Sequence, residues 1–242
     1  MIELHYVRTP NGLKIAIMLA ETGLPYRLVT YDIFAGDHLK PAFKRINPNH
    51  KLPAIVDLDP EDKGAPFPVF ESGAILLYLA RKSGALLPAD FRRQFLALQW
   101  LTWQVAGLGP MLGQAAHFVR YAPEGQDYGV ARYTREARRL LNVLDGRLRE
   151  APYLAEEYSI ADIACWPWVQ NIGNYDMSLT AFPAILRWSD AIKARPAVAA
   201  AVQSPETGVP TAYLKRRMTL TPEQWSNMFG DRMLRAPERG DG

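Results

Sequence analysis

The chain has 242 residues, 48% of them hydrophobic, and a net charge of +3 from 28 basic and 25 acidic side chains. That is enough apolar content for one large domain or two small ones with real cores. The charge excess is small and spread along the chain, which argues against a nucleic-acid partner and suits a small anionic ligand. No 18-residue apolar run is present, so no membrane span is expected. Residues 1–6 lack the basic and long apolar regions of a signal peptide, which leaves a cytoplasmic location as the expectation. The single cysteine, Cys165, excludes an intrachain disulfide, a C-x-x-C redox pair and a cysteine-based metal site. His5, His38, His50 and His117 show no i, i+4 spacing, so no metal is expected.

Residues 2–7 read as a short strand. Residues 12–22 carry helical spacing through Leu13, Ala16, Ile17 and Ala20, with Gly23 as a stop and Pro25 preventing continuation. Residues 26–31 alternate like a strand, and 39–46 form a short helical turn. Short strands follow at 54–56 and 69–70, separated by an Asp-, Pro- and Gly-rich connector that signals a hairpin. Residues 72–82 are helical. The order β-α-β-α-β-β-α is that of a thioredoxin-like domain. Beyond Leu86-Leu87-Pro88 the pattern turns all-helical. Residues 91–104 form one helix, and Gly107, Gly109 and Pro110 are expected to kink or break its continuation. Residues 128–149 give the clearest amphipathic helix. Ser159-x-x-Asp162 has capping-box form, with Asp in place of Glu, ahead of an apolar helix rich in tryptophan. Helices at 182–193 and 197–202 complete the domain. In the tail, Thr221-Pro222-Glu223 is a good helix start, with Trp225, Met228 and Phe229 on one face. The expected limits are 1–84, 90–202 and a partly docked extension, 203–242.

Two motifs point to a ligand. Asn49-His50-Lys51-Leu52-Pro53-Ala54-Ile55-Val56-Asp57 is a loop whose proline opens a strand. A cis proline there turns the N–H and C=O of Leu52 outward, where they can pair with an extended peptide. Phe70-Glu71-Ser72-Gly73 turns a strand into a helix and offers a carboxylate, a hydroxyl and free backbone N–H groups to a zwitterionic head. A peptide with an amino acid-like head and an extended middle fits both, and glutathione is such a peptide.

Glutathione chemistry needs a stabilised thiolate. In Arg8-Thr9-Pro10-Asn11-Gly12, Thr9 can donate a hydroxyl and Asn11 its amide hydrogens at a helix start. Asn11 has a second reading, as the cap of that helix. Arg132 can equally be a solvated helix charge, and Glu71 and Ser72 a helix cap. Tyr6, inside its strand, is structural. Asp162 belongs to folding. Cys165, among Ile163, Ala164, Trp166 and Trp168, is a core thiol. The run from Trp100 to Gln114 is rich in Trp and Gly. Its tryptophans suit a core, and its glycines suit close approach of another subunit or a second ligand.

These motifs, with Thr9-Pro10-Asn11-Gly12, the run 100–114 and Ser159-Ile160-Ala161-Asp162-Ile163-Ala164, resemble the glutathione transferase superfamily over residues 1–200. The resemblance is to its bacterial Nu class and the related globular domain of the yeast nitrogen-regulation prion protein. It implies a thioredoxin-like glutathione-binding domain followed by an all-helical domain. By that resemblance, Thr9 and Asn11 act on sulfur. Glu71 and Ser72 take the γ-glutamyl head, and the Leu52 backbone beside Pro53 pairs with the cysteinyl unit. Lys51, and with it Asn49, lies near the ligand. His38 stands where relatives commonly carry a contacting Gln, and Arg132 matches an arginine directed at a glutathione carboxylate. The implied activity is glutathione-dependent disulfide reduction on small disulfides or electrophiles, in a homodimer, with glutathione as co-substrate. The alternatives are a conventional conjugating transferase or lyase, and a non-catalytic glutathione-binding regulator.

Overall fold

The computed structural model describes residues 1–175, 177–204 and 218–234. By packing, the chain divides into two units, one of residues 1–7, 25–71 and 219–242, the other of 8–24 and 72–218.

The first unit holds a four-stranded sheet in the order β2-β1-β3-β4. The strands are β1 (Ile2–Tyr6), β2 (Tyr26–Thr30), β3 (Ala54–Asp57) and β4 (Phe67–Phe70). β1 runs parallel to β2 and antiparallel to β3, and β3 pairs antiparallel with β4. The register Leu4 opposite Ile55 puts two fully buried residues at the centre, joined in the core by Ile2, Tyr6, Phe43 and Ala54. Between β2 and β3 lie a 3-10 turn at Asp37–Leu39 and the short helix α2 (Pro41–Lys44). The helices α10 (Pro222–Met228) and α11 (Asp231–Leu234) belong to this unit too.

The second unit is helical. It contains α1 (Pro10–Thr22), α3 (Ser72–Ser83), α4 (Phe91–Trp103), α5 (Gly109–Arg120), α6 (Asp127–Glu150), α7 (Ile160–Val169), α8 (Pro183–Lys193) and α9 (Pro196–Gln203). Helix α1 packs on α3, α7 and α9. It ends where the sequence indicates, with Gly23 at φ 65° donating its N–H to the Leu19 carbonyl, a position that glycine takes at no steric cost. Arg195 ties α9 to α1 through a forked pair with Glu21 at 2.6 and 2.9 Å, its guanidinium lying 3.9 Å over the Tyr158 ring.

Gly107, Gly109 and Pro110 do not break the helix. The chain passes from α4 to α5 through a π-helical stretch, Gln104–Leu108. One wide turn absorbs the residues that sequence spacing reads as a break, which is how such bulges sit inside helices. The glycines are spent inside the chain as well. A Cβ at Gly109 would come within 2.6 Å of Gln104 Nε2, and one at Gly113 within 3.4 Å of the Trp168 ring.

The capping box at α7 is present. Asp162 Oδ2 accepts from the Ser159 N–H at 3.0 Å, and Ser159 Oγ accepts from the Ala161 N–H. Asp162 Oδ1 also accepts from the Leu154 N–H at 3.0 Å and from the Trp188 indole at 2.8 Å. A buried carboxylate needs this many donors to remain in the core. Among the described residues no helix is long and apolar enough to cross a membrane.

Candidate functional site

The first turn of α1 sets the geometry around Thr9 and Asn11. Thr9, not Asn11, is the N-cap: its backbone is extended and its Oγ1 accepts from the Gly12 N–H at 3.2 Å. That removes the capping alternative for Asn11, which sits in the first turn beside Pro10. A hydroxyl oxygen that accepts still has its own hydrogen to give, so Thr9 retains a donor.

Asn11 Oδ1 accepts from the Trp168 indole N–H at 3.0 Å. An indole nitrogen only donates, so the Asn11 atom facing it is the oxygen. The two amide hydrogens of Asn11 are therefore turned the other way. Trp168 reaches this position because Gly109 and Gly113 leave room for its ring.

Helix α3 starts at Ser72, which is 8% exposed. Ser72 Oγ accepts from Lys14 Nζ at 3.2 Å, and the same amine donates to Gln104 Oε1 at 2.6 Å. Lys14 is 1% exposed. The ammonium takes the Ser72 oxygen as its acceptor and leaves the hydroxyl hydrogen for an anion at the helix start, where backbone N–H groups also point. Gly73 is required here, since a Cβ would come within 2.9 Å of Val105. Sequence reasoning overlooked Lys14, Gln104 and Trp168 as site-shaping residues. The one available signal was Lys14 itself, a lone cation inside the apolar run 13–19, since lysine is almost never fully buried without partners.

In the first unit, the Leu52–Pro53 peptide bond is cis, and Pro53 is buried. The β3–β4 ladder starts at Ala54 opposite Phe70, so Leu52 lies outside it. Lys51 is exposed, and its carbonyl accepts from Asn47 Nδ2 at 2.6 Å. Glu71 is exposed and sits at φ 69°. A non-glycine residue rarely holds that region outside a constrained turn, and such residues gather at ligand sites. His38 is 5% exposed, held below the ordinary histidine pKa chiefly by burial and then by the Lys51 charge.

Arg132 is exposed on α6, 3.9 Å from Glu136. The carboxylate it meets is thus on its own helix. Cys165 is fully buried, and burial pushes its thiol far up. Among the described residues no cluster of His, Cys, Asp or Glu could hold a metal.

The family model of the glutathione S-transferase N-terminal domain matches residues 1–81, and that of the C-terminal domain matches 127–191. The chain is 49% identical over 209 residues to the disulfide-bond oxidoreductase YfcG of Escherichia coli, covering 86% of this chain and 97% of that protein.

The chain belongs to the glutathione transferase family. It is also 40% identical to the E. coli disulfide-bond oxidoreductase YghU, over 81% of this chain and 72% of that protein. A glutathione transferase from Burkholderia graminis, solved with two glutathione molecules per subunit, superposes with a TM-score of 0.80 at 44% identity. The match covers 86% of this chain and 89% of that one. A transferase from Pseudomonas putida, solved with one glutathione disulfide per subunit, gives 0.80 at 41% identity over 84% and 91%. The four-stranded sheet followed by helices is thus the transferase fold, a thioredoxin-like N-terminal part and an all-helical C-terminal part, with glutathione as co-substrate.

Proposed function

We propose that this transferase is a glutathione-dependent disulfide-bond reductase of the Nu type that works with bound glutathione thiols. The observation that carries the reading is the Trp168–Asn11 contact, which commits the Asn11 amide to present hydrogens to whatever lies beside the start of α1. Thr9 adds a hydroxyl. Two donors at a helix N-terminus suit a sulfur anion. The Cys165 thiol is buried and its ionisation disfavoured, so the reacting sulfurs come from ligands.

One glutathione thiolate attacks a sulfur of the substrate disulfide. A new S–S bond forms, the old one breaks, and the departing thiolate takes a proton from solvent. A second glutathione thiolate then attacks the glutathione sulfur of the mixed disulfide and releases the second substrate thiol. Two glutathione molecules become one glutathione disulfide, and the substrate gains two electrons and two protons. Thr9 and Asn11 stabilise the attacking or leaving sulfur.

Glu71 and Ser72 take the γ-glutamyl head, the Leu52 backbone beside Pro53 takes the cysteinyl unit, and His38, Lys51 and Arg132 complete the ligand set. Residues 1–84 form the glutathione-binding domain, 90–202 the helical domain and 203–242 the extension. The reaction needs a reduced glutathione pool, which supports a cytoplasmic location as part of this reading. The homodimer belongs to the same reading. Steady-state turnover of a small model disulfide with glutathione tests it: disulfide-dependent formation of glutathione disulfide is expected. Glutathione binding without turnover would leave a regulatory binder instead.

A further inference from the structure

Lys14 is the odd residue of α1. Leu13, Ile15, Ala16, Ile17, Met18 and Leu19 are buried with it, and all are apolar. Lys14 itself is 1% exposed. Taking an amine out of water is costly, and a leucine here would extend the core without that cost. Packing of α1 therefore gives no reason for a lysine at this position.

Two elements meet the amine. Nζ donates to Ser72 Oγ at 3.2 Å, at the start of α3, and to Gln104 Oε1 at 2.6 Å, at the start of the π-helical stretch. An ammonium only donates, so the Gln104 atom facing it is the oxygen. The Nε2 end is turned away, 2.6 Å from where a Cβ at Gly109 would stand. That nitrogen is buried and has no hydrogen-bond partner among the described residues. A buried amide left unsatisfied costs free energy. Glutamate has nearly the same shape, would accept from the amine more strongly and carries no N–H to orphan. A neutral acceptor is thus kept at position 104 at a cost to the fold. Wide turns of this kind gather at functional sites.

A glutamate at 104 would cancel the charge of the amine, and glutamine does not. Lys14 is 1% exposed and Ser72 8%, so a ligand at the start of α3 meets the serine, with the amine behind it. Ser72 Oγ accepts from the amine, which turns the hydroxyl hydrogen elsewhere and polarises it. Backbone N–H groups of the first turn of α3 add further donors. The combination favours an anion, and the γ-glutamyl head of glutathione carries one, its α-carboxylate.

We propose that Lys14 is a positioning residue for the head of glutathione: acting through Ser72, it supplies the positive charge that selects the α-carboxylate of the γ-glutamyl unit. The proposal rests on the glutathione reading above and adds to it the reason the head is recognised as an acid. Gln104 holds the amine in place without neutralising it.

The test titrates the full chain, by calorimetry, with reduced glutathione and with 4-aminobutyryl-cysteinyl-glycine. That peptide keeps the amine, the thiol and both peptide bonds of glutathione and lacks only the α-carboxylate. Wild type should bind glutathione about 30-fold more tightly than the analogue. Lys14→Met should cut the preference to about threefold or less and leave affinity for the analogue within about twofold. A merely loosened fold would weaken both peptides alike, and that result, with the preference kept, would overturn the proposal. Gln104→Glu keeps the shape and removes the orphaned nitrogen, so it should fold as well as wild type. By pairing the amine with a carboxylate it should lower the preference about fivefold. A wild-type preference in either variant, once folded, overturns the proposal; Gln104→Glu decides alone where Lys14→Met does not fold. Ser72→Ala separates this failure from failure of the glutathione reading. If Ser72→Ala loses the preference while Lys14→Met and Gln104→Glu keep it, the role of Lys14 alone is wrong. If wild type binds both peptides equally, or Ser72→Ala binds both like wild type, the head-group site itself is wrong and the Lys14 proposal falls with it.

Discussion

The indole N–H of Trp168 and the side-chain oxygen of Asn11 lie 3.0 Å apart, across 157 positions of sequence. The contact decides which end of the Asn11 amide is turned to the indole and which away from it. Trp168→Phe keeps an aromatic ring against Gly109 and Gly113 but removes the donor. The amide is then free to flip, and kcat for disulfide reduction should fall about 10-fold with little change in KM for glutathione. The ultraviolet absorbance of the bound thiolate, followed against pH, should shift its midpoint upward. An unchanged midpoint would show that the indole does not act through Asn11.

Asn11→Ala should cost more, because it deletes the donor itself. By analogy with oxyanion donors the loss is about 10²–10³ in rate, at the upper limit for sulfur, which accepts hydrogen bonds weakly. Glutathione binding should largely survive. Cys165→Ser should leave turnover intact, since the thiol is buried and its ionised form disfavoured. Exchange abolished by Cys165→Ser in a folded protein, with Asn11→Ala fully active, would refute the mechanism.

Asp162 accepts four hydrogen bonds, from Leu154, Trp188 and both the N–H and Oγ of Ser159. Asp162→Asn turns an amide NH₂ toward some of those donors. The cost should be on the order of 2–3 kcal/mol in urea unfolding, with little effect on KM of the folded fraction. A stability equal to wild type would show that the capping network contributes nothing.

Burial, above all, holds His5 and His38 below the ordinary value of 6.5. A depressed folded pKa means stability that is present above about 6.5 and lost as pH falls below it, because the unfolded chain binds the proton more tightly. Asp162 runs the other way. Burial pushes it up to about 6 from 3.8, so its contribution is present below 3.8 and lost as pH rises through 6. His38→Gln should therefore make stability fall less steeply between about pH 7 and 5.5, leaving the Asp162 term unchanged. Urea midpoints at several pH values decide it; a slope identical to wild type would contradict the burial argument.

On α4 the exposed rings of Phe91 and Phe95 lie 4.8 Å apart, 72% and 53% exposed. Apolar surface of this kind suits a second copy of the chain. Sedimentation at micromolar concentration should find a dimer, and Phe91→Asp with Phe95→Asp should shift it toward monomer. A wild-type monomer would remove the homodimer from the proposed function.

Much of this protein was legible one residue at a time. Strand and helix periods, the Gly23 stop, the Ser159–Asp162 box and the Thr221-Pro222 start are local signals, set by backbone sterics and by orphan N–H groups within a turn or two. The Leu52-Pro53 and Glu71-Ser72 motifs were legible too, because each is a contiguous stretch with its own chemistry. Local chemistry could not say which partners distant residues would find. Capping preference alone left Asn11 open as a cap, and only the fold gave that role to Thr9 and an indole to Asn11. The glycines of α5 looked like room for another molecule until Trp168 filled it. Lys14 carried no role in the sequence, because its acceptors, Ser72 and Gln104, are 58 and 90 positions away and meet it only in the fold. The tail buries Asn227, which donates to the Phe34 carbonyl at 2.7 Å, and leaves Phe229 39% exposed, because hydrogen-bond complementarity of that kind exists only once the chain has folded.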